Sequence, residues 1–186
     1  MPEGIEKIGN NAFEYLYHAK EVTLSNNLTS IGASAFAGYS AYNVNAIEIT
    51  SLPESLITIG EKAFYASAIS ITSLPKKITI LPTECFNRCA NLRIDTFGSA
   101  EGDGLTSIGD RCFESSGGNT GSAIDRIYLY ESVKKLGNAC FSKYGSSAGP
   151  SYIYTTLPES DENRLSWDIK NICGNNNASI NSWSGN

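Results

Sequence analysis

The phrase apolar-x-x-Ile/Leu-Gly-x-x-Ala/Cys-Phe recurs six times in this chain, and nothing else in the sequence restricts its fold so tightly. It runs Ile5, Ile8, Gly9, Ala12, Phe13, then Leu28, Ile31, Gly32, Ala35, Phe36, then Leu56, Ile59, Gly60, Ala63, Phe64. Looser copies follow: Ile78, Leu81, Pro82, Cys85, Phe86; Leu105, Ile108, Gly109, Cys112, Phe113; and Val133, Leu136, Gly137, Cys140, Phe141. Six of the seven phenylalanines close a copy, at intervals of 23, 28, 22, 27 and 28 residues. One such unit cannot bury its own apolar face. Stacked units can, so the repetition predicts a solenoid with one continuous core.

Each repeat carries a second apolar pair of period two: Val22/Leu24, Ile47/Ile49, Ile69/Ile71, Leu92/Ile94, Ile127/Leu129 and Tyr152/Tyr154. Alternation of this kind predicts a short strand with these residues turned inward. Leu52-Pro53, Leu74-Pro75 and Leu157-Pro158 mark strand ends, since proline cannot donate to a ladder. Equivalent strands in successive coils run the same way, which makes the sheet parallel. The glycine of the phrase does not require positive φ, because Pro82 occupies the same slot with φ fixed near −65°. Gly-x-x-Ala/Cys-Phe is therefore expected to open a short helical or 3₁₀ turn. At ~1.5–3 kcal/mol per buried Ile, Leu or Phe, the inward ladders dominate stability.

The run Ser51-Leu52-Pro53-Glu54-Ser55-Leu56-Ile57-Thr58-Ile59-Gly60-Glu61-Lys62-Ala63-Phe64 is the cleanest copy, and it resembles the BspA-like class of leucine-rich repeats. The resemblance covers residues 1–160. It implies a β-dominated α/β solenoid: a right-handed, curved array with a parallel sheet on its concave side and short helical turns. It also implies a secreted or cell-surface bacterial protein, hence an extracellular location. The chain departs from the family pattern in two ways: repeat length varies, and the family's usual cysteine after the phenylalanine survives only as Cys89.

A chain of 186 residues can bury a substantial core. Two parts are expected: the array over residues 1–160, starting mid-repeat, and a cap and tail over 161–186. Met1-Pro2-Glu3-Gly4-Ile5 aligns with Leu52-Pro53-Glu54-Ser55-Leu56, the start expected of a segment cut from a longer protein. Extra residues at 38–45, 115–123 and 144–151 share one place in the coil and should gather along one edge, whereas 98–104 follows a strand instead. In the tail, Leu165, Trp167, Ile169 and Ile172 are the expected cover for the last coil. Residues 174–186, rich in Asn and Ser, suit a linker or a partly disordered end.

Chemistry is sparse. The single histidine, His18, leaves no histidine cluster for a metal and makes a catalytic triad improbable. Ser116-Gly117-Gly118-Asn119 lacks the lysine and helix of a phosphate cradle. Two carboxylates in Glu101-Gly102-Asp103-Gly104 fall short of the 6–8 oxygens calcium takes. Cys85, Cys112 and Cys140 fill the small inward slot that is alanine elsewhere, so they should form a column of reduced, packed thiols. Cys85 and Cys89 have no partner pair for a zinc site. Catalytic, metal and cofactor residues are thus all expected to be none. With a net charge of −5 and no basic stripe, nucleic acid is not an expected partner. Nor does any apolar run approach the ~20 residues of a membrane span.

What remains is the outward side of the sheet. One expected column is Thr23, Glu48, Ser70, Arg93, Tyr128 and Ile153; the next is Ser25, Thr50, Thr72, Asp95, Tyr130 and Thr155. The C-terminal half collects Arg93, Asp95, Arg126, Tyr128 and Tyr130, and tyrosine and arginine dominate binding hot spots. The same residue types suit an ordinary β surface. The expected function is a non-catalytic, monomeric binding module that recognises a protein or glycan through the concave sheet and the insertion edge. The alternative is a structural spacer or stalk carrying an attached domain.

Overall fold

The computed structural model describes residues 1–18, 22–40, 44–102, 104–117 and 124–185. In chain order its regular elements are β1 (Lys7–Ile8), β2 (Ser30–Ile31), β3 (Thr58–Ile59), β4 (Ile80–Leu81), β5 (Thr96–Phe97), β6 (Ser107–Ile108), β7 (Arg126–Leu129), β8 (Lys135–Leu136), β9 (Tyr152–Thr155), α1 (Glu162–Ser166), α2 (Ile169–Cys173) and β10 (Ser179–Ser182). The six copies of the phrase form six stacked coils. β1–β2–β3 make one three-stranded sheet and β4–β6–β8 another; every pairing is parallel. In these two-residue strands the first side chain points away from the core and the Ile or Leu points in, as Lys7 and Ile8 or Thr58 and Ile59 show.

The core is a ladder of rings. Phe13, Phe36, Phe64, Phe86, Phe113 and Phe141 stack face to face along the solenoid, with centroids 5.2–5.6 Å apart. Except for Phe13 at the N-terminal end, these rings are fully buried. The remaining phenylalanine, Phe97, packs beside this stack, tilted against Phe113 and Phe141.

The turns are not helical, which corrects the sequence-based expectation. In each coil the second residue after the phrase's Gly or Pro adopts a left-handed backbone: Asn11, Ser34, Lys62, Glu84, Arg111 and Ala139, with φ of 53–58°. Ala63 N–H donates to Gly60 O and Cys112 N–H to Gly109 O, closing four-residue turns with positive φ at the third position. Alternate N–H groups then leave the coil. Lys62, Phe64 and Ala66 donate to Thr83, Cys85 and Asn87 of the next coil, so no i→i−4 ladder forms. As Pro82 indicated, the phrase glycine does not adopt positive φ. It is there because coils approach closely: a Cβ on Gly60 would run into the backbone of Ala33.

Where the turn ends, a buried polar column satisfies the carbonyl of the preceding coil's phenylalanine. Asn45 Nδ2 donates to Phe13 O, Cys89 Sγ to Phe64 O and Ser116 Oγ to Phe86 O. An orphaned carbonyl at this depth would cost about 1–3 kcal/mol. The insertions leave the coil beside this column. Gly145 N–H bonds Ser116 O, which brings two of them together; residues 41–43 and 118–123 lie outside the described residues, as does Asp103 of the fourth insertion.

The second apolar pair is inward as expected at Ile47/Ile49, Ile69/Ile71, Leu92/Ile94 and Ile127/Leu129. In coils 2–4 neighbouring segments meet through single bonds such as Ser70 N–H to Ile49 O and Arg93 N–H to Ile71 O. A full sheet forms only farther on, in the order β10–β9–β7–β5. Its last strand from the array overturns one assignment. Ile127 pairs with Ile153 and Tyr128 with Tyr154, so Ile153 and Thr155 are buried while Tyr152 stands 38% exposed. A one-residue slip moves every side chain to the other face, and in Tyr-Ile-Tyr-Thr both faces carry apolar groups. Ser25 likewise turns inward and bonds Glu3 O.

At the C-terminal end Trp167, Ile172 and Cys173 are buried over the last coil, and Phe141 N–H bonds Ile172 O. Asp161 and Asp168 cap the two short helices, and Gly174 closes α2 in the left-handed region. Leu165, expected in this cover, is 72% exposed; its neighbour Arg164 is buried in its place. Arg164 Nη1 donates to Leu157 O at 2.8 Å and Ser182 Oγ at 3.1 Å, tying α1 to both the array and β10.

Candidate ligand-binding face

All five cysteines are buried and unbonded to one another. Burial pushes the thiols of Cys85 and Cys140 well up, and those of Cys89 and Cys173 up to about 12. A thiol held protonated in this way is a packing group, since reactivity belongs to the thiolate. Among the described residues no three His, Cys, Asp or Glu side chains cluster as metal ligands, and no helix is long and apolar enough to cross a membrane.

The outward face of the β5–β7–β9–β10 sheet is different. Its pairing sets Thr96, Tyr128, Tyr154 and Asn181 side by side, one from each strand. The sequence had put Arg93 beside Tyr128. After Ile94 both Asp95 and Thr96 turn outward before Phe97 turns in, and that double step brings Thr96 to Tyr128 instead. Arg93 and Asp95 are exposed on the approach to β5, and Asp95 Oδ1 accepts from Thr96 Oγ1 at 2.9 Å. Arg126 is exposed at the start of β7, opposite Tyr152.

Tyr128 and Tyr130 thus stand where the sequence placed them, but among partners it did not supply. Tyr128 stacks on Tyr154 at 5.3 Å and 18°. Trp183, just past β10, leans on Tyr128 at 5.1 Å and on Tyr130 at 4.8 Å, tilted by 60° and 53°. Tyr130 Oη donates to Gly185 O at 3.1 Å, and Trp183 N–H bonds Thr155 O at 2.8 Å. These four rings are half-buried, and with Thr96, Ser182 and Ser184 they line one shallow groove. Sequence reasoning missed Tyr154 through the register slip and Trp183 because Ser179-Ile180-Asn181-Ser182 does not read as a strand. The available signal for Tyr154 was the β-branched Ile153, which aligns with Ile127.

Chemically, the face offers aromatic surface, hydroxyls and a nearby Arg/Asp fringe. That is equipment for holding a ligand, with no nucleophile–base pair in the groove. Comparison with curated proteins gives no match. The chain is similar in structure to a leucine-rich repeat protein from Bacteroides ovatus ATCC 8483, at 17% identity and a TM-score of 0.44 over 98% of this chain. It spans about half (50%) of that protein's length. The sequence itself matches the family described as BspA type leucine rich repeat region, in six copies over residues 6–147. With most of its length built from that repeat, the chain belongs to the BspA-type leucine-rich-repeat family, whose arrays are commonly protein-interaction modules and generally non-catalytic.

Proposed function

We propose that this chain is a non-catalytic binding module of a secreted or cell-surface bacterial protein, acting in adhesion. Its ligand is a protein or glycan held on the outward face of the C-terminal sheet. In this reading the array curves right-handed, as the family implies, with that face on its concave side, and the module works as a monomer without a cofactor. The supporting observation is the half-exposed cluster of Tyr128, Tyr130, Tyr154 and Trp183. A spacer has no use for four half-exposed rings on one face, whereas a binding site does: rigid aromatic groups supply contact area at small entropic cost. Arg93, Asp95 and Arg126 form its charged fringe.

The test is a double replacement, Arg93→Ala with Tyr128→Ala. Probes selected on the unmodified chain from a glycan array and a displayed peptide library are then rebound to the variant. Loss of binding is expected from a chain that still unfolds cooperatively, with a modest fall in melting temperature because Tyr128 gives up its contacts to Tyr154 and Trp183. Full retention of every selected probe moves the site to the insertion edge. If no probe is selected at all, the spacer or stalk reading replaces this one.

A further inference from the structure

Within the proposed binding face, and resting on that reading, we infer that the ligand is a neutral carbohydrate chain bound across Tyr128, Tyr154, Trp183 and Tyr130. The first ground is charge. The groove is lined by Thr96, Tyr128, Tyr130, Tyr154, Ser182, Trp183 and Ser184, and none of these carries a formal charge. Other depressions on the described surface differ: one includes Lys62, Glu84 and Arg111, another Lys134, Lys135 and Asp168. A charged ligand has groups to meet there but none inside the aromatic groove, where desolvating a charge without a partner is costly.

The second ground is hydrogen-bond type. The sheet's backbone donors and acceptors along β7 and β9 are taken up by their parallel ladder. Tyr130 Oη and Thr96 Oγ1 already donate to Gly185 O and Asp95 Oδ1 and keep only acceptor sites, and Ser182 Oγ is engaged by Arg164 and Glu159. The hydroxyls of Tyr128, Tyr154 and Ser184 are left to a ligand as both donors and acceptors, beside the donor N–H of the Trp183 indole. Sugar hydroxyls have the same double character, and the C–H faces of a pyranose suit the negative face of an aromatic ring.

The third ground is spacing. Tyr154 and Tyr128 stand on adjacent strands, and the next position in the row is the small Thr96. Strands lie ~4.8 Å apart, about the length of one sugar unit, and Tyr128 and Tyr154 cover each other's facing sides, so one unit stacks on the outer side of Tyr128 above Thr96 while the next units cross the ring edges. The row steps down at Thr96, which leaves the far side of Tyr128 without a ring beside it. The platform is also held rigid. Arg164, with only 7% of its side chain exposed, bonds Ser182 Oγ at 3.1 Å and so fixes the strand that delivers Trp183.

The experiment titrates the whole chain with cellohexaose, xylohexaose and maltohexaose, with an acidic galacturonate hexamer for contrast. The signal is tryptophan fluorescence: Trp167 is buried and hydrogen-bonded to Lys134 O, so the ligand-sensitive part reports Trp183. At least one neutral hexaose should give a saturable change below ~10 mM, with the acidic hexamer at least ~tenfold weaker. Tyr128→Ala should weaken that hexaose at least ~tenfold in a chain that still unfolds cooperatively at a modestly lower melting temperature, while Tyr128→Phe should retain the stability and most of the affinity. Three outcomes overturn the inference. A hexaose bound equally well by Tyr128→Ala refutes the face itself. Silence from every neutral sugar, with displayed peptides selected in a Tyr128-dependent way, keeps the face and refutes the carbohydrate. Tighter binding of the acidic hexamer refutes neutrality.

Discussion

Replacing Phe64 by alanine should be far more damaging than the same change at Phe13, although both close a copy of one phrase. Phe64 is fully buried, with Phe36 at 5.4 Å and Phe86 at 5.3 Å, nearly parallel to both. Phe13 is half-buried and, among the described residues, has a single ring neighbour, Phe36, at 5.2 Å. Phe→Ala in a closed core costs about 3–5 kcal/mol, and the turns on either side of Phe64 are bonded coil to coil and cannot collapse into the gap. Two ring contacts at ~0.5–1.5 kcal/mol each are part of that loss. At Phe13 one such contact and roughly half the burial are lost, so about 1.5–2.5 kcal/mol is expected. Against a total of about 5–15 kcal/mol, Phe64→Ala removes a large share and splits the array into two weakly coupled halves. Urea unfolding of the intact chain, followed by circular dichroism, should show a lower midpoint and a broadened or two-step transition for Phe64→Ala. A modest shift with the transition shape kept is expected for Phe13→Ala. Equal costs at the two positions would refute a core continuous from coil to coil.

The same register separates Ile59 from Lys62: Ile59→Asp buries an unpaired carboxylate and should cost several kcal/mol, whereas Lys62→Asp loses a half-exposed ion pair to Glu84, which keeps Arg111, and should cost about 1 kcal/mol in a thermal melt. Thiol reagents should label the native cysteines slowly and the denatured chain fully; a Cys85–Cys112 or Cys112–Cys140 crosslink seen by mass spectrometry would contradict the packed-thiol reading. The Cys89 thiol, near 8.5 when unfolded, is held up to about 12 in the fold, so its contribution is intact below pH ~8.5 and is lost as pH rises toward 12. Cys89→Ser, which copies Ser116 one coil on, should melt close to the parent at pH 7 and decline less steeply between pH 9 and 11. We propose residues 161–186 as a cap and tail distinct from the array over 1–160. Deleting them uncovers Cys140, Phe141 and the edge of β9, so a destabilised, aggregating fragment is expected, while an unchanged melting curve would make them a linker.

How much of this was legible in the sequence depended on whether one face or both carried the signal. Ile59, Phe64 and Cys85 were readable because apolar and polar positions alternate cleanly around them, and a repeated pattern confirms itself coil after coil. The final strand was not, since Tyr152, Ile153 and Tyr154 offer an apolar group to either face and only the pairing with Ile127 decides. The left-handed turn residues were hidden for another reason. Asn11, Ser34, Lys62, Glu84, Arg111 and Ala139 share no side-chain property; the constraint lies in backbone bonds to the next coil, which composition does not record. The proposed binding face was half legible. Tyr128 and Tyr130 stood out by type, but Trp183 arrives on a strand that owes its existence to the open edge of β9 rather than to its own Ser-Ile-Asn-Ser sequence.

Amide hydrogen exchange, with and without a saturating probe selected on the unmodified chain, tests the proposed binding face most directly. Added protection is expected at residues 126–130, 152–156 and 179–184, with little change along the turns of the first three coils. Protection confined to the insertion edge near 38–40 and 144–149, or spread evenly over every coil, would contradict it.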